Sequence, residues 1–361
     1  MDLVRFEEKT YPKEFFFQII NSIADFVQVV NKKNQVIYRN DTMKEVLKEA
    51  KKQGTVLTDF SATQRTLETG EVIQQEQTYL GKSYSVKTSP LWNKEGDLVG
   101  AVEVFRSNSR EKKLHEELVE KNQSMVHEMV LASSVQKALL PRKGFLKTVK
   151  VGYYFEPLDY ISGDLFDVFS LDDRHIAFYM SDTVGHGFAS GMVTMFIHQA
   201  MRTLEKEILL HPSLTLEKIG KKFRDLKLNL DYYFTMFYGV YDLEGQALSY
   251  ANAGHNCPPI LKGRNLCMPL EITGRPIMGY AYEDFYESHQ IPVYPGDQLL
   301  LCTDGFIESS NEHKEYYGFP RLLQLMETIS GDLIDRLVQD QNQFTWGPLT
   351  DDRTALSLEI Y

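Results

Sequence analysis

The chain has 361 residues, a length that suits two or three domains. Its 43% hydrophobic and 25% charged composition is that of a packed globular protein and excludes disordered and collagen-like classes. The formal charge of -11, from 39 Lys+Arg against 50 Asp+Glu, argues against nucleic acid or an anionic membrane as partner, because phosphate-rich surfaces would be repelled.

Three cysteines, Cys257, Cys267 and Cys302, are too few and too irregularly spaced for a disulfide framework or a zinc site. They read as buried thiols of a reducing compartment. The opening MDLVRFEEKT has no basic n-region or apolar core, and no 18-residue apolar run occurs, so a soluble cytoplasmic protein is expected. The charge is unevenly spread: residues 1–110 carry 16 basic and 15 acidic groups, residues 111–143 carry 6 and 5, and residues 144–361 carry 17 and 30. A shift of that size near residue 144 suggests a domain boundary.

In chain order, FFFQIINSI predicts an apolar helix, and DFVQVV and VIYRN around NKKNQ predict a hairpin. DTMKEVLKEA places Met43, Val46, Leu47 and Ala50 on one helical face, with Asp41 as the candidate N-cap. A second helical stretch follows, then strand-like runs VIQQEQTYL, KSYSVKTSPLW and LVGAVEVFR, the last two joined by NKEGD. The series VVNKKNQVIYRN, a helix, then SPLWNKEGDLVGAVEVFRSNSREKK resembles a PAS domain over residues 12–108. That resemblance implies a five-stranded antiparallel sheet cupping a small cavity. No Cys or His stands where a flavin or haem would attach, so no covalent cofactor is expected; a dimerising module and a ligand or protein sensor both remain open.

Residues 109–143 lack Gly and reach Pro only at Pro141, predicting a helix of about eight turns. Leu118, Asn122, Met125, Met129, Ala132, Gln136 and Leu139 alternate at spacings of four and three, a weak coiled-coil seam whose polar positions fix register. A homodimer through this linker is one reading and a solvated helix packed on its own neighbours the other. In VQKALLP, Val135, Ala138, Leu139 and Leu140 either pack the helix onto the next domain or transmit its movement.

Residues 144–361 repeat one pattern four times, a strand-like run with an Asp at its end beside a turn former: SGDLFDVF, IAFYMSDTVGHG, QLLLCTDGF and PLTDDRTALSLEI. A single such Asp is usually a turn residue. Four converging on one sheet edge would repel one another, and a cation resolves that repulsion. All-oxygen ligation favours Mg²⁺ or Mn²⁺, and two such ions can hold a hydroxide for in-line attack on phosphorus.

VQKALLP, SGDLFDV, SDTVGHG, FTMFYGVYD, YANAGHNCPPIL, LLLCTDGFIES and DDRTALSL, in this order and spacing, are similar to the metal-dependent (type 2C, PPM) serine/threonine protein phosphatases of the SpoIIE/RsbU-type branch. With the PAS-like module and the linker in front, the whole chain resembles the RsbP-type stress-response phosphatases. The fold implied is α+β: a PAS-like domain, a helical coiled-coil linker and a PPM phosphatase α-β-β-α sandwich over 144–361.

The resemblance implies two Mn²⁺ or Mg²⁺ ions held by Asp164, Asp182, Asp304 and Asp351 with the carbonyl of Thr183. Asp182 would bridge both ions, and Asp182 and Asp304 are the expected catalytic pair. Asp352 competes with Asp351, and Asp167 is expected to orient ligands or a backbone amide. The implied substrate is a phosphorylated STAS-domain anti-sigma-factor antagonist.

SGD departs from the commoner GGD, and Thr183 and Val184 stand where a small apolar and a hydroxyl residue are more usual, which leaves the loop geometry near Gly185 and Gly187 open. His255 reads as a general acid or as a histidine bonded within its own turn, and His186 reads as structural. A non-catalytic phosphoprotein-binding module on the same fold is the competing function. A nucleotide cyclase is disfavoured, because Leu165 and Phe166 follow the Gly-Asp where an acidic pair is needed.

Overall fold

A computed structural model describes residues 3–6, 9–52, 61–79, 82–185, 187–228, 232–264, 266–280, 285–329 and 331–361. The chain divides into two compact units, Met1–Ser124 and Met125–Tyr361. Among the described residues no helix is long and apolar enough to cross a membrane.

The first unit opens with a two-stranded ribbon, β1 (Leu3–Phe6) and β2 (Lys9–Pro12), and a helix α1 (Lys13–Asn21). Strands β3 (Phe26–Asn31) and β4 (Val36–Arg39) form the expected hairpin, followed by helices α2 (Asp41–Lys52) and α3 (Ser61–Thr69). Strands β5 (Ile73–Tyr79), β6 (Lys82–Trp92) and β7 (Leu98–Ser107) complete an antiparallel sheet of order β4-β3-β7-β6-β5.

Capping of α2 differs from the sequence expectation. The cap is Asn40, fully buried, whose Oδ1 accepts from Met43 N at 3.1 Å and from Val27 N at 3.0 Å. Asp41 is already helical. The buried amide wins because Asn40 also donates from Nδ2 to the carbonyl of Asp25 at 2.8 Å, tying the helix to the start of β3.

One row across this sheet is polar: Arg39, Gln28, Glu103 and Thr88 are successive register partners on β4, β3, β7 and β6. Gln28 Nε2 donates to Glu103, and burial holds the Glu103 carboxyl above the usual range. The hydroxyl of Thr88 is buried without a partner. Thr88→Val should therefore stabilise the first unit by about 1 kcal/mol, because an orphaned hydroxyl is exchanged for an apolar isostere. Chemical denaturation checks this, and a loss of stability would show that the hydroxyl is satisfied in solution.

Helix α4 (Ser109–Leu139) spans the predicted linker and runs into the second unit. That unit is two antiparallel sheets between helical layers. One sheet has the order β10-β11-β12-β13-β17, built from Asp164–Ser170, His175–Thr183, Tyr233–Asp242, Ala247–Ala253 and Ser288–Pro292, with β16 (Ile277–Met278) beside β12. The other has the order β15-β14-β18-β19-β9-β8, built from Cys267–Pro269, Ile260–Lys262, Gln298–Cys302, Arg353–Ile360, Val149–Glu156 and Gly144–Leu146.

Alternation along each strand decides the layers. Phe166, Val168, Phe178 and Phe237 of the first sheet meet Val151, Leu301, Leu356 and Leu358 of the second. The opposite face of the first sheet packs Leu165, Tyr179 and Tyr238 under α5 (Phe188–Arg202) and α7 (Pro212–Asp225), with the short α6 (Lys206–Leu209) between those helices. Beyond the second sheet, Leu300, Cys302 and Ala355 pack under α9 (Phe319–Thr328) and α10 (Leu333–Phe344); the single turn α8 (Asp304–Ile307) follows β18 directly.

The last turns of α4 seat on this unit by a face that matches the expected one only at Leu139 and Leu140. Val135 is 54% exposed, whereas Ser133 and Gln136 are buried and Leu140 packs against the core. Gln136, placed in the seam by its spacing, is 1% exposed and bonded within the unit: Nε2 donates to Ser162 O at 2.8 Å and Thr194 Oγ1 at 2.9 Å, and Oε1 accepts from Ser162 N at 3.0 Å. A buried amide with three good hydrogen bonds is a specific docking contact.

Candidate metal centre

Asp164 begins β10, and its antiparallel register partner on β11 is Asp182. Both share the face that carries Phe166 and Met180 into the space between the sheets, so their carboxylates stand together at one end of the sandwich. From the facing sheet, Asp304 follows β18 and Asp351 and Asp352 precede β19. Strand polarity thus brings residues far apart in sequence to a common mouth.

The two sheets are stitched there by hydroxyl and backbone groups. Thr303 Oγ1 donates to Asp164 Oδ2 at 2.8 Å, and Thr354 N donates to Thr303 Oγ1 at 3.2 Å. Gly163 lies against the carbonyls of Thr183 and Gly185, 3.0 and 2.9 Å from where a Cβ would stand. Gly305 is tighter, with the Asp352 carbonyl 2.0 Å from that position. Both glycines are demanded by close backbone approach.

Asp351 and Asp352 separate cleanly. Asp352 is buried, and its carboxylate accepts from Leu158 N at 2.6 Å, Ser162 Oγ at 2.7 Å and Gly163 N at 2.7 Å. It anchors the loop that presents Asp164. The serine of the SGD departure finds its reason here, since Ser162 Oγ also accepts from Asp164 N at 3.0 Å. Asp351 is exposed at the mouth and acts electrostatically on Asp182. Asp352→Ala should destabilise the second unit by about 3 kcal/mol, because two buried donors and the half-buried Leu158 N–H lose a charged acceptor. A thermal melt of the second unit unchanged by this substitution would refute the anchoring role.

The electrostatics are those of a crowded anionic site. Burial and the neighbouring Asp182 and Asp352 hold the Asp164 carboxyl well above its ordinary value. Burial and the charges of Asp304, Asp351, Asp352 and Glu308 push Asp182 up to about 8. After burial, the leading influences on Asp182 are four more carboxylates, which is the donor chemistry of a hard divalent metal site. Among the described residues no three of these side chains stand as a closed coordination cage; the fit lies in the convergence and charge of the donors.

Three positioning contacts were not read from the sequence. Asn256 Nδ2 donates to Asp304 Oδ2 at 2.8 Å, Thr303 holds Asp164, and Glu308 stands near Asp182. Only Glu308 had a local signal, lying one helical turn after Asp304. Next to Asp352, the buried Arg353 donates to Glu156 at 2.8 Å through Nε and also to Gln341, fastening α10 to the start of β19.

His255 is 1% exposed, and Nε2 donates to the Cys302 carbonyl at 3.0 Å while Nδ1 faces Thr235 Oγ1 at 3.4 Å. Burial lowers its pKa to about 4, so it is a neutral ring bonded between strands. Neither expectation holds as stated: the partners are not in its own turn but on two other strands, the Cys302 carbonyl at the end of β18 and Thr235 on β12, so the ring ties the two sheets together. Asp167 lies on the opposite face of β10, under α5, where Arg202 Nη2 donates to it at 2.7 Å. It therefore does not face the carboxylate cluster, because an odd residue separation from Asp164 reverses the face of a strand. His186 lies outside the described residues.

The comparisons agree with this architecture. Residues 172–361 match the family model of Stage II sporulation protein E (SpoIIE). The phosphoserine phosphatase RsbP of Bacillus subtilis (strain 168) is 27% identical over 242 residues, covering 64% of this chain and 58% of RsbP. The phosphoserine phosphatase RsbU of the same organism is 28% identical over 221 residues, covering 59% and 63%. The chain thus spans about three fifths of the length of these two relatives. The solved SiaA-PP2C domain of Pseudomonas aeruginosa superposes with a TM-score of 0.57 at 18% identity, covering 67% of this chain and 99% of that domain, a likeness of fold. The second unit has a mixed α/β, PP2C-like fold, and the chain belongs to the SpoIIE family.

Proposed function

We propose that this protein is a metal-dependent phosphoserine/phosphothreonine protein phosphatase, and that residues 144–361 form its catalytic domain. The observation that supports this most is the set of mutually repelling carboxylates delivered from the ends of both sheets to one mouth. Asp164, Asp182, Asp304, Asp351 and the Thr183 carbonyl would hold two Mn²⁺ or Mg²⁺ ions. Bound there, the ions would supply a hydroxide nucleophile and neutralise charge on the phosphoryl oxygens.

The chain's own residues shape that site. Thr303 orients Asp164, Asn256 orients Asp304, and Asp352 fixes the loop before Asp164. Asp351 and Glu308, both exposed, keep the mouth anionic until cations enter. No side-chain nucleophile is used, in keeping with the absence of a G-x-S-x-G motif.

Residues 12–108 are proposed as a PAS-like sensor, supported by the β4-β3-β7-β6-β5 sheet with its two helices between β4 and β5. Residues 109–143 are proposed as a coiled-coil linker of a cytoplasmic homodimer, supported by the exposed seam residues Leu118 and Met125. The substrate proposed is a phosphorylated STAS-domain antagonist of an anti-sigma factor in a partner-switching pathway. Gln136 gives the linker a hold on the metal strand, since Ser162 stands two residues before Asp164.

The test is dephosphorylation of a phosphoserine STAS protein by the full chain with Mn²⁺, followed by release of ³²P-phosphate. Release that depends on Mn²⁺ and disappears in Asp304→Asn is expected. Binding of the phosphoprotein without release would replace the enzyme by a binding module.

A further inference from the structure

Away from the carboxylate mouth, the edge strands β10 and β8 of the two sheets and the end of α4 flank an open pocket of about 530 Å³. That volume is in the range of small-molecule sites. Its apolar wall includes Leu139, Leu146, Val151 and Phe169. Its polar groups are Arg142, Ser170, His198 and the Asp167–Arg202 pair.

The charges of this pocket are not balanced. Asp167 is buried and already satisfied: Arg202 donates to it from Nε at 3.0 Å and Nη2 at 2.7 Å, and Val168 N donates at 2.8 Å. His198 Nε2 stands 3.6 Å away, and burial lowers its pKa, so it adds no fixed charge near neutrality. The guanidinium of Arg202 lies over the Phe169 ring at 4.4 Å and is still partly exposed. Arg142 is exposed and makes no ion pair among the described residues. The surplus is positive, beside an apolar wall, in a domain whose residues 144–361 carry 17 basic and 30 acidic groups.

We propose that this pocket is an effector site for a small amphipathic anion, its acid group at Arg142 and Arg202 and its apolar body against Leu139, Leu146 and Phe169. A local positive surplus on an acidic domain selects anions by charge, and the partly desolvated Arg202 strengthens that selection. The occupant would touch the end of α4 and strand β10 at once. These are the two elements that Gln136 joins at Ser162, so occupancy bears on how the linker helix sits against the strand that starts with Asp164. This site is independent of the phosphatase reading, because its deciding readout is octanoate binding, which needs no turnover.

Calorimetric titration of the full chain with octanoate, octan-1-ol and octylamine tests the proposal. One saturable octanoate site per chain is expected, with octylamine and octanol weaker by at least about tenfold. Arg142→Glu should weaken octanoate by about tenfold or more while leaving the melting temperature and the octanoate-free activity unchanged. Ser170→Glu, at the end of β10, should weaken it as well, so the test survives misfolding of either variant. No saturable octanoate binding, equal binding of octylamine, or undiminished binding in a folded variant would each overturn the site.

Discussion

Asp182→Asn is expected to lower phosphatase activity by at least about a hundredfold and to raise the melting temperature of the metal-free protein. The two effects share one cause. Asp182 is surrounded by Asp304, Asp351, Asp352 and Glu308, which together with burial push its pKa to about 8. Its charge is unfavourable to the folded chain unless a cation is present. The amide keeps the shape and removes the charge, so folding gains what metal binding loses. Each kcal/mol relieved is worth about 2–4 °C in a unit of this size. Asp304→Asn should lose activity to a similar degree. Undiminished turnover in either variant, assayed with saturating Mn²⁺, would remove these residues from the metal site.

Chelation should have the second largest effect, and its size should depend on pH. Asp182 releases its proton near 3.8 when unfolded and near 8 when folded. Between those values the folded metal-free chain holds more protons than the unfolded one, so its stability falls as pH rises through that window. Divalent ions compete with those protons and bind more tightly as pH rises. At a hundredfold excess over its dissociation constant a bound ion contributes about 2.7 kcal/mol. Calorimetric melts with Mn²⁺ and with EDTA should therefore diverge progressively from about pH 5 to about pH 8. A gap that is constant across this range would mean that the buried carboxylates are not where the metal binds.

Much of this was legible without coordinates because it depends on local pattern. Alternation in KSYSVKTSPLW and LVGAVEVFR announced β6 and β7, and the long Gly-free run announced α4. The carboxylates of the second unit were visible because each ends or begins a strand-like run. Which face a residue takes was harder. Asp167 lies three positions from Asp164 on the same strand, an odd separation that puts the two on opposite faces, and only the packing showed that the Asp167 face lies under α5 beside Arg202. Likewise Asn40 outcompetes Asp41 as a cap because its buried amide also reaches β3, a contact 13 residues away in sequence.

Periodicity and the order of motifs announced the hairpin, helices and strands of residues 12–139 and singled out Asp164, Asp182, Asp304 and the Asp351–Asp352 pair. Tertiary structure alone separated that last pair, since adjacent residues on an extended chain point to opposite sides and their surroundings differ completely. Asp352 meets three donors from the loop before β10, and Asp351 meets solvent beside Asp182. It also decided that Gln136 belongs to the docking face of α4. A polar residue in an apolar repeat looks the same in a sequence whether it faces a second helix or the backbone of Ser162, because partners of a buried amide are chosen in space.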